Sequence, residues 1–147
     1  MISITTFKDV RGTVAYTELL GFEQIEKRVL NPNVVAKKEN LELVKLCSIG
    51  DKRTSKNSLR HDENITSING VEIDYDGGLI AAEVAQCIML MSNIRCVIYT
   101  TPSHSTERPR WRILVPTSRA YPPADRRLFV GYVNNIFNGA IASESFT

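Results

Sequence analysis

The sequence predicts an α/β or α+β fold in which helices pack on one face of a mixed sheet. Two segments, 2–7 and 70–76, alternate between apolar and polar residues, which is typical of β-strands. Two further runs, 96–100 and 112–115, are rich in the residues that favour strands. Segments with apolar residues at helical spacing lie between the second and third of these strands and after the last one. From residue 70 onward the order is therefore strand, helix, strand, strand, helix, which favours helices packed on a sheet.

The N-terminal half is predicted to contain one strand, two helices and a loop. The strand spans 2–7. The segment from Thr17 to Leu30 carries apolar residues at helical spacing, and Asn31-Pro32 predicts the end of that helix. The segment from Lys38 to Cys47 is predicted as a second helix, and the polar residues 48–64 as a loop.

The C-terminal half is predicted as a strand over 70–76, a helix over 79–91, two strands joined by a loop, and a helix over 124–137. Pro122 and Pro123 stand just ahead of the last helix, where proline is tolerated. The side chains predicted to face inward are Ile80, Val84, Cys87, Ile88 and Met91 on the first helix and Leu128, Phe129, Tyr132, Val133, Ile136 and Phe137 on the second. Trp111 is predicted to be a core residue.

Composition is consistent with one compact domain spanning residues 1–147, because a chain of 147 residues with 43% hydrophobic content can bury a core. No apolar run approaches the roughly 20 residues that cross a bilayer, and no signal peptide is recognisable. We therefore expect no membrane partner. The three cysteines form no CxxC pair, which favours reduced core thiols in a cytoplasmic protein. Two histidines without the usual spacing argue against a zinc site.

Asp74 and Asp76 are the most informative residues of the chain. Because a strand repeats every two residues, both carboxylates face the same side at the end of the 70–76 strand, just before Gly77-Gly78. Carboxylates held so close repel each other unless something neutralises them, commonly a divalent cation. The pair therefore predicts metal-dependent phosphoryl or nucleotidyl transfer. The alternative is a strand that runs into an ordinary Asp-Gly turn.

A second candidate site follows the 96–101 strand. Ser103 and His104 lie where that strand ends, and both can donate hydrogen bonds to phosphate oxygens. Arg110 and Arg112 alternate on the next strand, and the fixed fork of arginine suits phosphate recognition. The alternatives are a solvated histidine and arginines that form structural ion pairs.

The basic residues are clustered, although a net charge of +2 by itself does not diagnose nucleic-acid binding. Lys52, Arg53, Lys56 and Arg60 fall in one polar stretch, which is a candidate nucleic-acid-binding surface. A second cluster consists of Arg108, Arg110, Arg112, Arg119, Arg126 and Arg127. The alternative in each case is a solvated face with ordinary surface charges.

Four segments occur in an order that resembles the archaeo-eukaryotic primase superfamily, in particular the primase-polymerase domains of plasmid and prophage replication proteins. They are GDKRTSKNSLRHDENI, GVEIDYDGG, IYTTPSHSTERPRWRILVP and GAIASESFT. The family carries an acidic D-x-D/E motif, then a serine-histidine motif, then a third acidic motif. The resemblance implies an RRM-like mixed sheet with packed helices, as in the primase catalytic core.

The resemblance also implies roles for individual residues. Asp74 and Asp76 would bind Mg²⁺ or Mn²⁺ and be catalytic, and Glu144, the only carboxylate in the third region, would be the third ligand. His104 and Ser103 would bind the nucleotide, with Arg110 and Arg112 as further phosphate contacts.

Two features depart from the family pattern. Pro102 stands where the serine of a serine-x-histidine motif is expected. The chain ends at Thr147, where the third motif begins, so we expect the domain to be shortened at its C-terminal end.

The implied function is template-directed nucleotidyl transfer in plasmid or phage DNA replication. The implied partners are nucleoside triphosphates, a single-stranded DNA template, and a helicase domain or replication protein. Two alternatives remain open on the residues alone. One is a non-catalytic nucleic-acid-binding or interaction module on the same scaffold, and the other is a metal-dependent phosphohydrolase or nuclease.

Overall fold

A computed structural model describes residues 1–146 and has a mixed α+β architecture. Within these residues, three α-helices accompany two antiparallel sheets, with the strand orders β2-β1-β3 and β4-β5-β7-β6. The strands are β1 (Ile2–Phe7), β2 (Ala15–Leu20), β3 (Leu43–Lys45), β4 (Cys47–Ile49), β5 (Ile65–Tyr75), β6 (Val97–Thr100) and β7 (Trp111–Tyr121). The helices are α1 (Phe22–Leu30), α2 (Ala82–Met91) and α3 (Arg126–Ile136). The predicted α+β class is confirmed. The predicted mixed sheet is wrong, because both sheets are antiparallel, and the RRM-like core stays a prediction.

The described chain forms two compact units. Unit 1 comprises residues 1–69 and 117–124, and unit 2 comprises residues 70–116 and 125–146. The prediction of a single domain stays a prediction. None of the helices in residues 1–146 has both the length and the apolar character needed to cross a membrane.

Unit 1 is built around β1, whose six residues are all buried. β1 pairs with β2 over its whole length, from Ile2 opposite Leu20 to Phe7 opposite Ala15. The predicted helix 17–30 is therefore wrong in its first part, because residues 15–20 gain backbone hydrogen bonds from β1. α1 begins only after Gly21, whose N–H donates to the side-chain oxygen of Gln24 at 2.7 Å.

The predicted helix over 38–47 is also wrong. Residues 38–40 form a single 3-10 turn, and β3 and β4 follow it. Thr5 of β1 lies opposite Lys45, and Ile68 of β5 lies opposite Cys47. Pairing with strands that are distant in sequence thus overrides the local helical pattern, as tertiary context commonly does.

Unit 2 has a core formed by one face of its sheet and by α2 and α3. The predicted strands are confirmed, although β5 begins at Ile65 and β7 continues to Tyr121. The predicted core position of Trp111 is confirmed, since its side chain is fully buried. The buried members of the core are Val71, Ile73, Tyr75, Ala85, Met89, Trp111, Ile113, Val130, Val133, Phe137 and Ile141.

The two helices were predicted correctly in position and less well in orientation. α2 begins at Ala82, later than predicted, and α3 begins at Arg126 after a 3-10 turn. Val84 and Met91 are 51% and 88% exposed, and Leu128 and Tyr132 are 73% and 61% exposed, so these four are not core residues. Cys87 is exposed as well. Because apolar residues of α2 extend well beyond its buried face, with Leu90 and Met91 exposed, that face could not be identified from the sequence.

Candidate functional site

The acidic residues lie on β5 and directly after it, on the side away from the core. Val71, Ile73 and Tyr75 are buried in unit 2, so the intervening residues face the other side of the sheet. Asp74 is 29% exposed and Asp76, one residue beyond the end of β5, is 57% exposed. The two carboxylates therefore lie on one face near the strand end.

Arg112 of β7 and Arg110, the residue directly before β7, form ion pairs with these carboxylates. Arg112 donates two hydrogen bonds to Asp74, from Nε to Oδ1 at 2.6 Å and from Nη2 to Oδ2 at 2.9 Å. Arg110 Nε lies 3.8 Å from Asp76 Oδ1. From the first pair to the second, the residue number rises by two at the aspartate and falls by two at the arginine, as expected for neighbouring antiparallel strands.

Burial and ion pairing have opposite effects on the pKa of Arg112. Burial lowers the pKa of Arg112, but its hydrogen bond to Asp74 and the nearby negative charges raise it more, so that the pKa lies above its ordinary value. The guanidinium is therefore charged at neutral pH.

Tyr99 extends this row of side chains onto β6 and was not singled out in the sequence. It lies opposite Arg112 in the β6–β7 register. Burial raises the pKa of Tyr99 above its ordinary value, and the positive charge of Arg112 offsets this only in part. Its phenol is therefore neutral and offers both a donor and an acceptor beside the guanidinium. In the sequence, only the two-residue alternation of β6 could have indicated which face Tyr99 occupies.

A third carboxylate–arginine pair involves Glu72, two residues before Asp74 on β5. Glu72 accepts from Nη2 of Arg126, in α3, at 3.3 Å, and the two side chains are only 8% and 12% exposed. The Nη1 group of the same arginine donates to the carbonyl oxygen of Ser145 at 2.6 Å. Neither Glu72 nor Ser145 was identified from the sequence.

The C-terminal segment meets β5 at Asp74. The N–H of Asp74 donates to the Ser145 hydroxyl at 2.9 Å, and the N–H of Ala142 donates to the Asp74 carbonyl oxygen at 2.9 Å. Glu144 is exposed, and the Ser143 hydroxyl donates to its carboxylate at 3.4 Å. The role of Glu144 as a third metal ligand stays a prediction.

The β6–β7 loop is closed by backbone hydrogen bonds and brings His104 to Arg110. The N–H of Arg110 donates to His104 Nδ1 at 3.1 Å, and the N–H of His104 donates to the Thr101 carbonyl at 2.9 Å. A neutral His104 must therefore carry its proton on Nε2. His104 and Ser103 are both exposed.

An aromatic platform supports the loop that follows Asp76. The rings of Tyr75 and Trp111 stack with centroids 4.4 Å apart. The Tyr75 hydroxyl accepts the N–H groups of Leu79 and Ile80 at 3.0 and 2.9 Å, and Trp111 Nε1 donates to the Ile80 carbonyl at 2.8 Å. A Cβ atom at Gly77 would lie 2.7 Å from the Tyr75 hydroxyl, so this close approach requires glycine.

The basic stretch of unit 1 combines structural and solvent-facing cations. Arg53 Nη1 donates to the carbonyl oxygens of Thr13 and Asn57 at 3.0 Å each, and Arg60 Nη1 reaches the Val10 carbonyl at 3.4 Å. These two arginines therefore hold the surrounding loops together. The other two cations of the stretch, Lys52 and Lys56, are exposed.

The carboxylates of Asp74 and Asp76 are the candidate ligands for a divalent cation. Among residues 1–146, no set of three or more His, Cys, Asp or Glu side chains is arranged to bind a metal ion. Mg²⁺ commonly uses only one or two carboxylates and completes its shell with water and substrate phosphates. Arg112 donates one hydrogen bond to each oxygen of the Asp74 carboxylate, and each oxygen has a further lone pair.

Comparisons of the chain with family models, with curated proteins and with solved structures found no match.

Proposed function

We propose that unit 2 carries a primase-polymerase site of the archaeo-eukaryotic primase type, on an RRM-like core, and that the chain acts in plasmid or phage DNA replication in the cytoplasm. The observation that carries the proposal is the meeting of two carboxylates, two arginines and a histidine at one end of a sheet. Positive groups that recognise a triphosphate and acidic groups that bind its metal ions are what nucleotidyl transfer requires.

The basic groups serve the triphosphate. Arg110 supports this role because its Nε atom is buried and, although it lies 3.8 Å from Asp76 Oδ1, makes no hydrogen bond within residues 1–146. A buried donor without a hydrogen bond is costly, and a phosphate oxygen would satisfy it. His104 offers the Nε2–H group to a phosphate oxygen because its Nδ1 atom is already occupied. Ser103 adds a hydroxyl on the same loop.

The acidic groups serve the metal ion. Asp74 and Asp76 would bind Mg²⁺ or Mn²⁺, with Glu144 as the proposed third ligand. When bound, the ion would stabilise the negative charge on the phosphate oxygens and activate the attacking 3′-hydroxyl. Arg112 donates two hydrogen bonds to the Asp74 carboxylate in the absence of a ligand, and it is placed to transfer these two donors to a phosphate.

The template is proposed to be single-stranded DNA that contacts unit 1. Lys52 and Lys56 would contact backbone phosphates, and Arg53 and Arg60 would contribute charge while holding their loops. Affinity should fall as salt rises, because phosphate binding releases counterions. A helicase domain or replication protein is the proposed protein partner.

A non-catalytic nucleic-acid-binding module is the second candidate. It is favoured by one observation, namely that Arg112 already neutralises Asp74 without a metal ion. In that case the acidic row would be structural, and binding would depend on the basic groups alone.

Calorimetric titration with dATP and with ATP in the presence of manganese tests the proposal. The wild-type chain should bind, and the Asp74→Ala/Asp76→Ala variant should not. Glu83→Ala, which removes an exposed carboxylate from α2, is the control and should bind like the wild type. Primer extension on a single-stranded template then measures the transfer reaction.

Three other results would point elsewhere. Salt-sensitive DNA binding that is indifferent to loss of the aspartates would support the second candidate. Metal-dependent release of nucleotide fragments would indicate a phosphohydrolase or nuclease. A folded wild-type chain that binds neither nucleotide nor DNA would contradict both candidates.

A further inference from the structure

We infer that Ser145 and Arg126 are positioning residues for Asp74, so that the C-terminal segment serves the acidic site by holding β5 in place. The inference rests on the proposed function, because it assigns both residues to the same site. It differs from ligation by Glu144, whose exposed side chain neighbours the buried Ser145.

The first step of the argument concerns the backbone of Asp74. Its N–H donates to the Ser145 hydroxyl at 2.9 Å and its carbonyl oxygen accepts from Ala142 N–H at 2.9 Å. The Ser145 hydroxyl also reaches the Asp74 carbonyl oxygen at 3.4 Å. Both backbone polar groups of this residue are thus satisfied by a segment about 70 residues further along the chain, at a point where an unpaired strand edge would otherwise be exposed.

The second step concerns what holds Ser145. Its side chain is only 2% exposed, and its carbonyl oxygen accepts from Arg126 Nη1 at 2.6 Å. Ile141 and Phe146, on either side of it, pack on the core of unit 2. The other amino group of Arg126 pairs with the buried Glu72, two residues before Asp74 on β5. One guanidinium therefore ties α3, β5 and the C-terminal segment together.

The third step concerns the consequence for chemistry. Arg112 holds the carboxylate of Asp74 from one side, and Ser145 holds its backbone from the other. When a triphosphate draws Arg112 away, the Ser145 hydroxyl and the Ala142 N–H continue to fix the backbone of Asp74, and Ser145 is the only side chain of the two contacts. Misplacement of a reacting group by about 1 Å can reduce rates on the order of 100-fold, so this constraint matters most in the liganded state.

The test compares Ser145→Ala with Ser143→Ala, which removes an exposed hydroxyl from the same segment. Hydrogen exchange of the Asp74 amide is measured by NMR, and dATP affinity is measured with and without manganese. In Ser145→Ala we expect exchange at Asp74 to be about 5- to 10-fold faster, as for the loss of one hydrogen bond. Manganese-dependent dATP affinity should fall by a similar factor, while metal-free affinity, which depends on the arginines, should not change.

A second variant, Arg126→Lys, tests the same inference independently of Ser145. Arg126→Lys keeps a positive charge and loses the planar fork that spans Glu72 and Ser145. It should accelerate exchange at Asp74 and lower the manganese-dependent affinity in the same way. Ser143→Ala should match the wild type in exchange at Asp74.

The outcomes separate this inference from the proposed function. Unchanged exchange at Asp74 in both variants would overturn it, and so would faster exchange with unchanged manganese-dependent affinity, since Ser145 would then be structural only. If the wild type itself binds no nucleotide with manganese, the proposed function fails and the inference fails with it. Wild-type binding together with normal binding by both variants would overturn the inference alone.

Discussion

We predict that loss of the ion pair between Asp74 and Arg112 has opposite effects on stability and on metal binding. Replacing Arg112 with methionine keeps an unbranched, flexible stem, shorter than that of arginine, and removes its charge. The carboxylate of Asp74 then loses both hydrogen bonds, at 2.6 and 2.9 Å, although only 29% of its side chain is exposed. We expect Arg112→Met to be less stable than the wild type and to bind manganese more tightly.

The size of the metal effect follows from the geometry. Two unit charges about 4 Å apart attract by roughly 4 kcal/mol at an effective dielectric constant of about 20. Because 25% of Arg112 and 29% of Asp74 remain exposed, solvent screening reduces this value. We take about 1–2 kcal/mol as the part that opposes metal binding, which corresponds to an affinity gain of about 5- to 30-fold.

The stability effect has the opposite sign. Leaving a largely buried carboxylate without its partner costs about 1–3 kcal/mol. For a chain of this length we expect the melting temperature to fall by roughly 2–4 °C for each kcal/mol lost. Saturating manganese should restore part of this loss, because the ion replaces the missing positive charge.

Electron paramagnetic resonance of free manganese and thermal melting measure the two effects. Arg127→Met, which removes an exposed arginine from α3, is the control and should change neither quantity. The affinity for dATP should fall in Arg112→Met, since two phosphate donors are lost. Manganese affinity that is equal to or below that of the wild type would refute the reasoning and would mean that Asp74 is not a metal ligand.

Three further predictions concern the surroundings of the site. Gly77→Ala should lower the melting temperature and weaken nucleotide binding, since its Cβ would lie 2.7 Å from the Tyr75 hydroxyl; an unchanged melting curve would contradict the close approach. Trp111→Phe should lose about 1–3 kcal/mol in urea unfolding, because a 2.8 Å hydrogen bond and part of a buried stack disappear. Burial raises the pKa of Cys96 from 9.0 to about 11, so the folded state holds this proton more tightly than the unfolded chain and stability should decline between these two pH values. At pH 8, mass spectrometry should therefore find the exposed Cys87 alkylated by iodoacetamide well before Cys96, and equal rates would contradict this difference.

Much of the fold was predictable because its signals are local. The alternation of residues 2–7 and 70–76 is a property of the segments themselves, and both are strands. Residues 15–20 and 43–49 carry weak or helical local patterns, and they become strands because β1 and β5 offer them backbone hydrogen bonds. Such pairings depend on residues far away in the chain and leave no trace in the segment.

The acidic pair was likewise accessible from the sequence, and its partners were not. The two-residue period of a strand is sufficient to put Asp74 and Asp76 on one face. That Arg112 neutralises the first of them depends on which residues of β5 and β7 lie opposite one another. The approach of Ser145 to Asp74 spans 71 residues and depends on the docking of the C-terminal segment.

The sequence by itself therefore determined the fold class, four of the strands, the position of the last helix and the shared face of the two aspartates. The tertiary structure alone decided that arginines neutralise these aspartates, that a serine near the C-terminus holds one of them, and which sides of α2 and α3 are buried. The physical reason is that periodicity acts between neighbouring residues, whereas ion pairs, strand register and helix orientation arise only when distant segments pack together.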